Sequence, residues 1–369
     1  MNKLMKLMGL LLALMMIAAA CGDSDESSDT TAAPSDGDTT TTAAGPESDT
    51  NVGLTFDIGG RGDQSFNDSA AAGIDRAANE LGVSFTEAEP NADGSNRAEL
   101  LQTQADVSEL VIAVGFLFAG DVTAVAAENP DVNFAVIDDA MLNFDTDPPS
   151  PLGENIAGLT FAEEQGSFLV GVAAALKTET GTVGFIGGVS GFGLIEKFEA
   201  GFTAGVHAVN PDIVIIPQYI TEFPNFDGFN APDRAKDIAL GMYDQGADII
   251  YHAAGGAGAG MFEAAKEQSE ATGSKVWGIG VDSDQYNTVS TDVQEYVLTS
   301  MLKRVDNAVF EITKAHEDGM FAAGNVVYDL SVDGVGYSTS GGFVDDIVDQ
   351  LEDYKAQIVA GDIVVPTAP

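Results

Sequence analysis

At 369 residues the chain exceeds the usual size of one domain, and 45% hydrophobic with 20% charged residues is a globular composition. Its 58 Asp and Glu against 15 Lys and Arg give a formal net charge of −43, which excludes holding a nucleic-acid backbone or coating an anionic bilayer by general electrostatics. One Cys and three scattered His (His207, His252, His316) exclude an internal disulfide and a Cys-rich zinc module, argue against a His-based metal site, and leave no cofactor expected.

The chain opens with Lys3 and Lys6, followed by an unbroken apolar run from Leu7 to Ala20. A membrane-spanning helix needs about 20 apolar residues, so this run reads instead as the core of a signal peptide over residues 1–20. Cys21 follows at once, and the Ala-Ala-Ala-Cys junction resembles a bacterial lipobox, with Ala18 where Leu is usual. Lipidation of Cys21 is expected, which makes it the mature N-terminus. Residues 22–51 carry no large apolar side chain and cannot bury enough surface to fold, so residues 21–51 read as a lipid-anchored tether. The body that remains holds 13 basic against 50 acidic residues, a net charge of −37.

From Val52 on, short apolar runs alternate with helical patterns. Strands are predicted at Val52–Ile58, Val83–Glu89, Leu110–Val114 and Asn133–Ile137. A second series covers Ile156–Leu159, Thr182–Ile186, Ile213–Gln218, Asp248–Tyr251, Val276–Ile279 and Tyr296–Ser300. Apolar residues at i, i+3, i+4 predict helices between them, among them Ser69–Leu81, Arg97–Leu110, Glu163–Leu176, Leu194–Val209, Arg234–Gln245 and Met261–Ser269. Continuous apolar strands alternating with helices give parallel sheets covered on both faces, and ten strands divide into two doubly wound α/β lobes. Ligands of such sheets bind beyond the carboxyl ends of the strands.

The strand-end loops therefore carry the functional reading. After the first strand comes Asp57-Ile58-Gly59-Gly60-Arg61-Gly62-Asp63-Gln64-Ser65-Phe66-Asn67-Asp68, where Ser65 or Asn67 can cap the next helix. Phe66 in this polar loop is either a ligand contact or a plug beneath the loop. Beyond Tyr251 lies His252-Ala253-Ala254-Gly255-Gly256-Ala257-Gly258-Ala259-Gly260, which fits neither GxGxxG nor GxxxxGK[ST]. It reads as bare backbone that lets a ligand approach. Asp282 is a second strand-end carboxylate. Lys303 and Arg304 are placed at the start of a helix, as ligand contacts or as partners for acids such as Asp306.

Together FDIGGRGDQSFNDSAAAG (56–73), FAEEQGSFLVGVAAALKTETGTVGFIGG (161–188), ADIIYHAAGGAGAGMFEAAKE (247–267), WGIGVDSDQYNTV (277–289) and YVLTSMLKRVDNAV (296–309) resemble the Bmp family. These bacterial lipoproteins, also called basic membrane proteins, are solute-binding components of ABC importers and include purine nucleoside receptor lipoproteins. The resemblance spans about 52 to 365; the strong acidity and a stretched segment, Glu222 to Phe229, depart from it. It implies a type I periplasmic-binding fold, two lobes joined by three crossings that close around a nucleoside. One lobe is expected from 52–157 plus about 283–321, the other from 158–282 plus about 322–365.

The resemblance also implies roles. Asp57 and Phe66 meet the base, a second Phe completes the sandwich (Phe229, with Phe226 and Phe223 as rivals), and Asp282 and Lys303 hold the ribose hydroxyls. Asn67 and the Gly255–Gly256 backbone line the cleft. The chemistry agrees: stacking a base on an aromatic ring is worth roughly 1–3 kcal/mol, and a carboxylate with an ammonium satisfies a vicinal diol. A phosphate is not expected near Asp57, Asp63 and Asp282. The expected partners are a nucleoside, an ABC permease with its ATPase and, through the lipid alone, the extracytoplasmic face of the cell membrane; no nucleic acid is expected, and a monomer is. The alternatives are a binding protein for another small solute such as a sugar, a signalling receptor, or a nucleoside hydrolase using Asp57 with Asp282 or Asp138 with Asp139.

Overall fold

Strand and helix alternate through the chain in this computed structural model, which describes residues 48–369 apart from residue 92. The predicted signal peptide, Cys21 and the tether as far as residue 47 lie outside the described residues. The elements are β1 (Asn51–Thr55), α1 (Phe66–Leu81), β2 (Ser84–Ala88), α2 (Arg97–Ala105), β3 (Leu110–Ala113), α3 (Ala119–Glu128), β4 (Asn133–Ile137), β5 (Leu142–Asn143), β6 (Ser150–Pro151) and β7 (Ile156–Phe161). There follow α4 (Glu163–Lys177), β8 (Thr182–Ser190), α5 (Leu194–Val209), β9 (Val214–Glu222), α6 (Pro232–Asp244), β10 (Ile249–Ala253), α7 (Gly258–Thr272) and β11 (Trp277–Asp282). The last are β12 (Val297–Lys303), α8 (Val305–Glu317), β13 (Gly324–Tyr328), β14 (Val335–Tyr337) and α9 (Val348–Ala360). The body thus begins at Asn51, one residue inside the expected tether.

Two six-stranded sheets result, in the orders β2-β1-β3-β4-β7-β13 and β9-β8-β10-β11-β12-β14. Within these two sheets every pairing is parallel except that of β14 with β12, and β5 pairs antiparallel with β6 apart from them. The inner strands are apolar on both faces because helices cover both: Leu110, Val111, Ile112 and Ala113 of β3 are all fully buried. Edge strand β9 carries Pro217, whose missing N–H is tolerated at a sheet margin. In each sheet the strand order reverses, between β1 and β3 and between β8 and β10, so the loops that follow these strands splay apart and open a crevice at the carboxyl ends.

The chain passes between the sheets three times: from β7 into α4, from β12 into α8, which packs on α1 of the first lobe, and from β13 into β14. The crossings lie side by side. Ala162 N donates to Tyr328 O at 3.0 Å and Arg304 N to Gly334 O at 2.9 Å, and the rings of Phe161 and Tyr328 stack at 5.2 Å.

These crossings correct the expected lobe boundaries near 283 and 322. β12, expected in the first lobe, pairs with β11 in the second sheet, because Val297 to Met301 is a fully buried run that needs cover on both faces. β13, expected in the second lobe, adds to the first sheet beside β7. Its exposed Val326 and Val327 follow from its edge position. Lys303 is also corrected: it closes β12 and does not start a helix, while Arg304 precedes α8.

Candidate functional site

A cavity lies between the strand ends of the two lobes. The first lobe lines it with Asp57, Phe66, Asn67, Phe116 and Asp138; the second contributes Phe198, Phe229, Gly255, Gly256, Asp282 and Lys303. The eight residues expected in the cleft are thus brought together on one cavity. Of the three rival phenylalanines Phe229 lines it, and Phe226 and Phe223 do not.

Asp57 follows β1 and faces β3 across the crevice. Gly115, after β3, has φ 108°, and a Cβ there would clash with Asp57 Oδ2. Asp57 Oδ1 accepts from Ile58 N at 2.8 Å and lies 3.8 Å from the Arg97 guanidinium. Burial nevertheless dominates, and the Asp57 carboxyl is pushed up to about 6. Asn67 is held differently from expectation. Its Oδ1 accepts from Asp57 N at 2.9 Å, and its Nδ2 donates to Ile58 O and to Asp63 Oδ2, so the side chain shapes the loop that presents Asp57. Phe66, half-buried, packs against the core as the plug reading expects, and its ring also lines the cavity.

Asp282 ends β11 in the left-handed region, at φ 63°. Burial pushes its carboxyl up to about 7, against the pull of the Lys303 ammonium and a hydrogen bond from Ser65. Lys303 is 2% exposed and its Nζ lies 2.7 Å from the Asp138 carboxylate and 3.5 Å from that of Glu163. It also sits over the rings of Phe66, Phe161 and Phe198 at 4.9, 5.1 and 5.7 Å. Burial opposes its charge, but Asp138, Glu163 and Asp282 outweigh burial and hold its pKa above the ordinary lysine value. Arg304 has the humbler role open to the pair, gripping Asp306 through Nε and Nη2 at 2.9 and 2.8 Å.

The sequence left Asp138 and Phe116 of the lining, and Glu163 behind Lys303, without a role in binding. Asp138 stands at the end of β4, where the strand-end rule would have found it, and was weighed only as a hydrolase carboxylate. Glu163 opens α4 at a crossing and bonds Lys197 Nζ at 2.5 Å. Phe116 follows β3 and stacks on Phe192, which follows β8 in the other lobe, at 4.9 Å and 26°. Phe226 packs edge-on to both at 5.8 Å and parallel to Phe229 at 6.5 Å, so an aromatic cluster bridges the lobes beside the cavity.

The glycine-rich loop after β10 approaches the first lobe as bare backbone, and a Cβ on Gly256 would touch Asp63 Cβ at 3.4 Å. Behind it His252 is fully buried, its Nε2 2.8 Å from Gln285 Oε1, and burial lowers its pKa to about 4. Gly258 is needed there, since a Cβ would collide with the imidazole ring. Among the described residues no group of three His, Cys, Asp or Glu is placed to hold a metal ion.

Residues 50–368 match the family described as ABC transporter substrate-binding protein PnrA-like, the Bmp family. The chain is 36% identical to the CD4+ T-cell-stimulating antigen of Listeria innocua, covering 98% of both chains. It is 31% identical to the ABC transporter nucleoside-binding protein BmpA of Lactococcus lactis, covering 87% of this chain and 90% of that one. A solved ABC transporter solute-binding protein from Aeropyrum pernix superimposes with a TM-score of 0.72 at 28% identity, covering 86% and 94% of the two chains. The crevice between two parallel-sheet lobes, the residues gathered in it and these likenesses agree: the chain belongs to the Bmp family of ABC transporter substrate-binding proteins.

Proposed function

We propose that this substrate-binding protein takes a nucleoside into the cleft between its lobes and delivers it, from a lipid anchor at Cys21 outside the cytoplasm, to an ABC permease. The observation that carries the reading is the meeting of Phe66 and Phe229, from opposite lobes, in one cavity with Asp57, Asp282 and Lys303. A nucleoside presents a flat π face, a polar base edge and a vicinal diol. Phe66 and Phe229 stack on the base, Asp57 accepts from its N–H groups, and Asp282 and Lys303 take the ribose hydroxyls. Asp138, paired with Lys303, orients the ammonium. The carboxylates around the cavity disfavour a phosphate, so a nucleoside fits better than a nucleotide. The Lactococcus relative bears the name of a nucleoside-binding protein, which supports the same ligand class.

Calorimetric titration with adenosine, guanosine, inosine, uridine and ribose tests the reading. The protein is first unfolded and refolded to strip carried-over ligand. One-to-one binding of a nucleoside, lost in Phe66→Ala and Asp282→Ala, is the expected result. Binding of ribose alone would move the ligand to the sugars, and free base appearing after saturation would point to a hydrolase.

A further inference from the structure

Ser65 stands immediately before α1, where a hydroxyl ordinarily accepts from the exposed amides of the first turn. Here Asp63 does that work: its carboxylate accepts from the N–H groups of Ser65, Asn67 and Asp68 at 2.9, 2.9 and 3.0 Å. The Ser65 hydroxyl, 0% exposed, is thereby free to donate to Asp282 Oδ2 at 2.5 Å. Ser65 belongs to the first lobe and Asp282 to the second, so this bond spans the cleft. Ser65 Oγ also lies 3.3 Å from Val281 O, and three bonds from other donors join the same two segments. Ser283 Oγ donates to Ser65 O at 2.8 Å, Gln285 Nε2 to Gln64 O at 3.1 Å and Thr288 Oγ1 to Gln64 O at 3.2 Å. Gln285 is braced from behind, its Oε1 accepting from Val281 N and facing His252 Nε2.

We propose that Ser65 is a positioning residue that couples lobe closure to the ligand site, fixing Asp282 for its ligand only when the lobes have come together. A carboxylate offers about four lone-pair sites; Ser65 occupies one oxygen and sets the plane in which the other is presented. The charged groups facing Asp282 are Lys303 on β12, Asp63 ahead of α1 and Asp138 after β4. Lys303 favours the carboxylate and the two acids oppose it. Ser65 favours it too and adds no charge. The inference rests on the nucleoside reading for its ligand, while the cross-lobe clasp can be tested without one.

The test compares wild type with Ser65→Ala, using adenosine, guanosine, inosine and uridine at pH 6.5, 7.5 and 9, together with X-ray scattering of the empty chains. Loss of a hydrogen bond to a charged group should weaken binding at pH 7.5 on the order of tenfold. The loss should be larger at pH 6.5 and smaller at pH 9, because the Asp282 carboxylate is less favoured without its donor. Empty Ser65→Ala should scatter as a more open particle. Affinity within twofold of wild type at all three pH values, with unchanged scattering, overturns the proposal even if the melting temperature falls. Should Ser65→Ala fail to fold, Ser283→Ala with Thr288→Val, both outside the core, carries the test: a more open particle supports the clasp and an unchanged one overturns it. A wild-type chain that binds none of the four nucleosides overturns the ligand reading, and the scattering of empty Ser65→Ala then decides the clasp alone.

Discussion

The two glycine-rich loops that face each other across the cleft reach the same end by opposite means. The loop after β1 is tied down by its own side chains: Asp63, Asn67 and Asp68 accept from or donate to the backbone around them. The loop after β10, taken with the last residue of that strand and the first turn of α7, runs from Ala253 to Gly260 with only glycine and alanine, and is shaped by close packing on the buried His252 ring. One loop is built from polar atoms that must be present, the other from side-chain atoms that must be absent. Glycine content alone therefore does not distinguish a hydrogen-bonded loop from a packed one.

The sharpest way to break this comparison is to delete from the first loop. Asp63→Ala removes the acceptor of three backbone N–H groups and one Asn67 amide, and should cost about 2–4 kcal/mol of stability together with the whole of nucleoside binding, read by denaturant melts and titration. An Asp63→Ala chain of wild-type stability would show that the loop is held by packing after all. The second loop should break on addition. Gly258→Ala drives a methyl into the His252 ring and should cost about 1–3 kcal/mol, whereas Ala259→Gly, in the same loop, should cost about 1 kcal/mol or less. Equal losses from both would erase the distinction.

Phe229→Ala comes next and bears on the ligand. If the ring stacks on a base, affinity should fall by about 1–3 kcal/mol, with Phe226→Ala costing less because Phe226 does not line the cavity and touches it only through Phe116 and Phe229. The smallest effect is on pH. The Asp57 and Asp282 carboxyls lie near 6 and 7 in the empty protein, above their unfolded value, so the native state binds more protons than the unfolded one between those limits. Their contribution to the stability of the empty protein is complete below about pH 4 and declines as pH rises to 7. Nucleoside affinity should do the reverse and rise through pH 6–7, since both carboxylates are asked to accept. In Asp282→Asn the decline in stability should flatten; an unaltered slope would remove Asp282 from the account.

Much of this was legible before any coordinates, for a physical reason. Strands covered on both faces must be apolar throughout, which makes the eight inner strands among the ten predicted legible; the edge strands β2 and β9 show instead through their β-branched and aromatic residues, and the strand-end rule then picks out Asp57, Phe66 and Asp282. Legibility fails where a residue's partner is remote in the chain. Ser65 carries the signature of a helix cap, and only the proximity of Asp282, 217 positions away, shows what its hydroxyl does. The stacking of Phe116 on Phe192 and the pairing of Lys303 with Asp138 are likewise properties of the assembled lobes. The edge strand β13, with Val326 and Val327 exposed, offers no continuous buried run to read, and the crossings expected from the resemblance fall on the wrong side of both β12 and β13.

Lys303 sits where β12 hands over to α8, on one of the three connections between the lobes. In a jaw that opens, points near the axis hardly travel, while points far from it sweep the widest arc. In the proposed closure the ammonium of Lys303 and its Asp138 and Glu163 neighbours should therefore hardly move, whereas the ring of Phe229 and the clasp at Ser65 should. A ligand entering the gaping protein meets a finished anchorage first and a finished enclosure only afterwards. Arrival and retention are thus governed by different residues, so changes around Lys303 should act mainly on the rate of capture and changes at Phe229 or Ser65 mainly on the rate of escape.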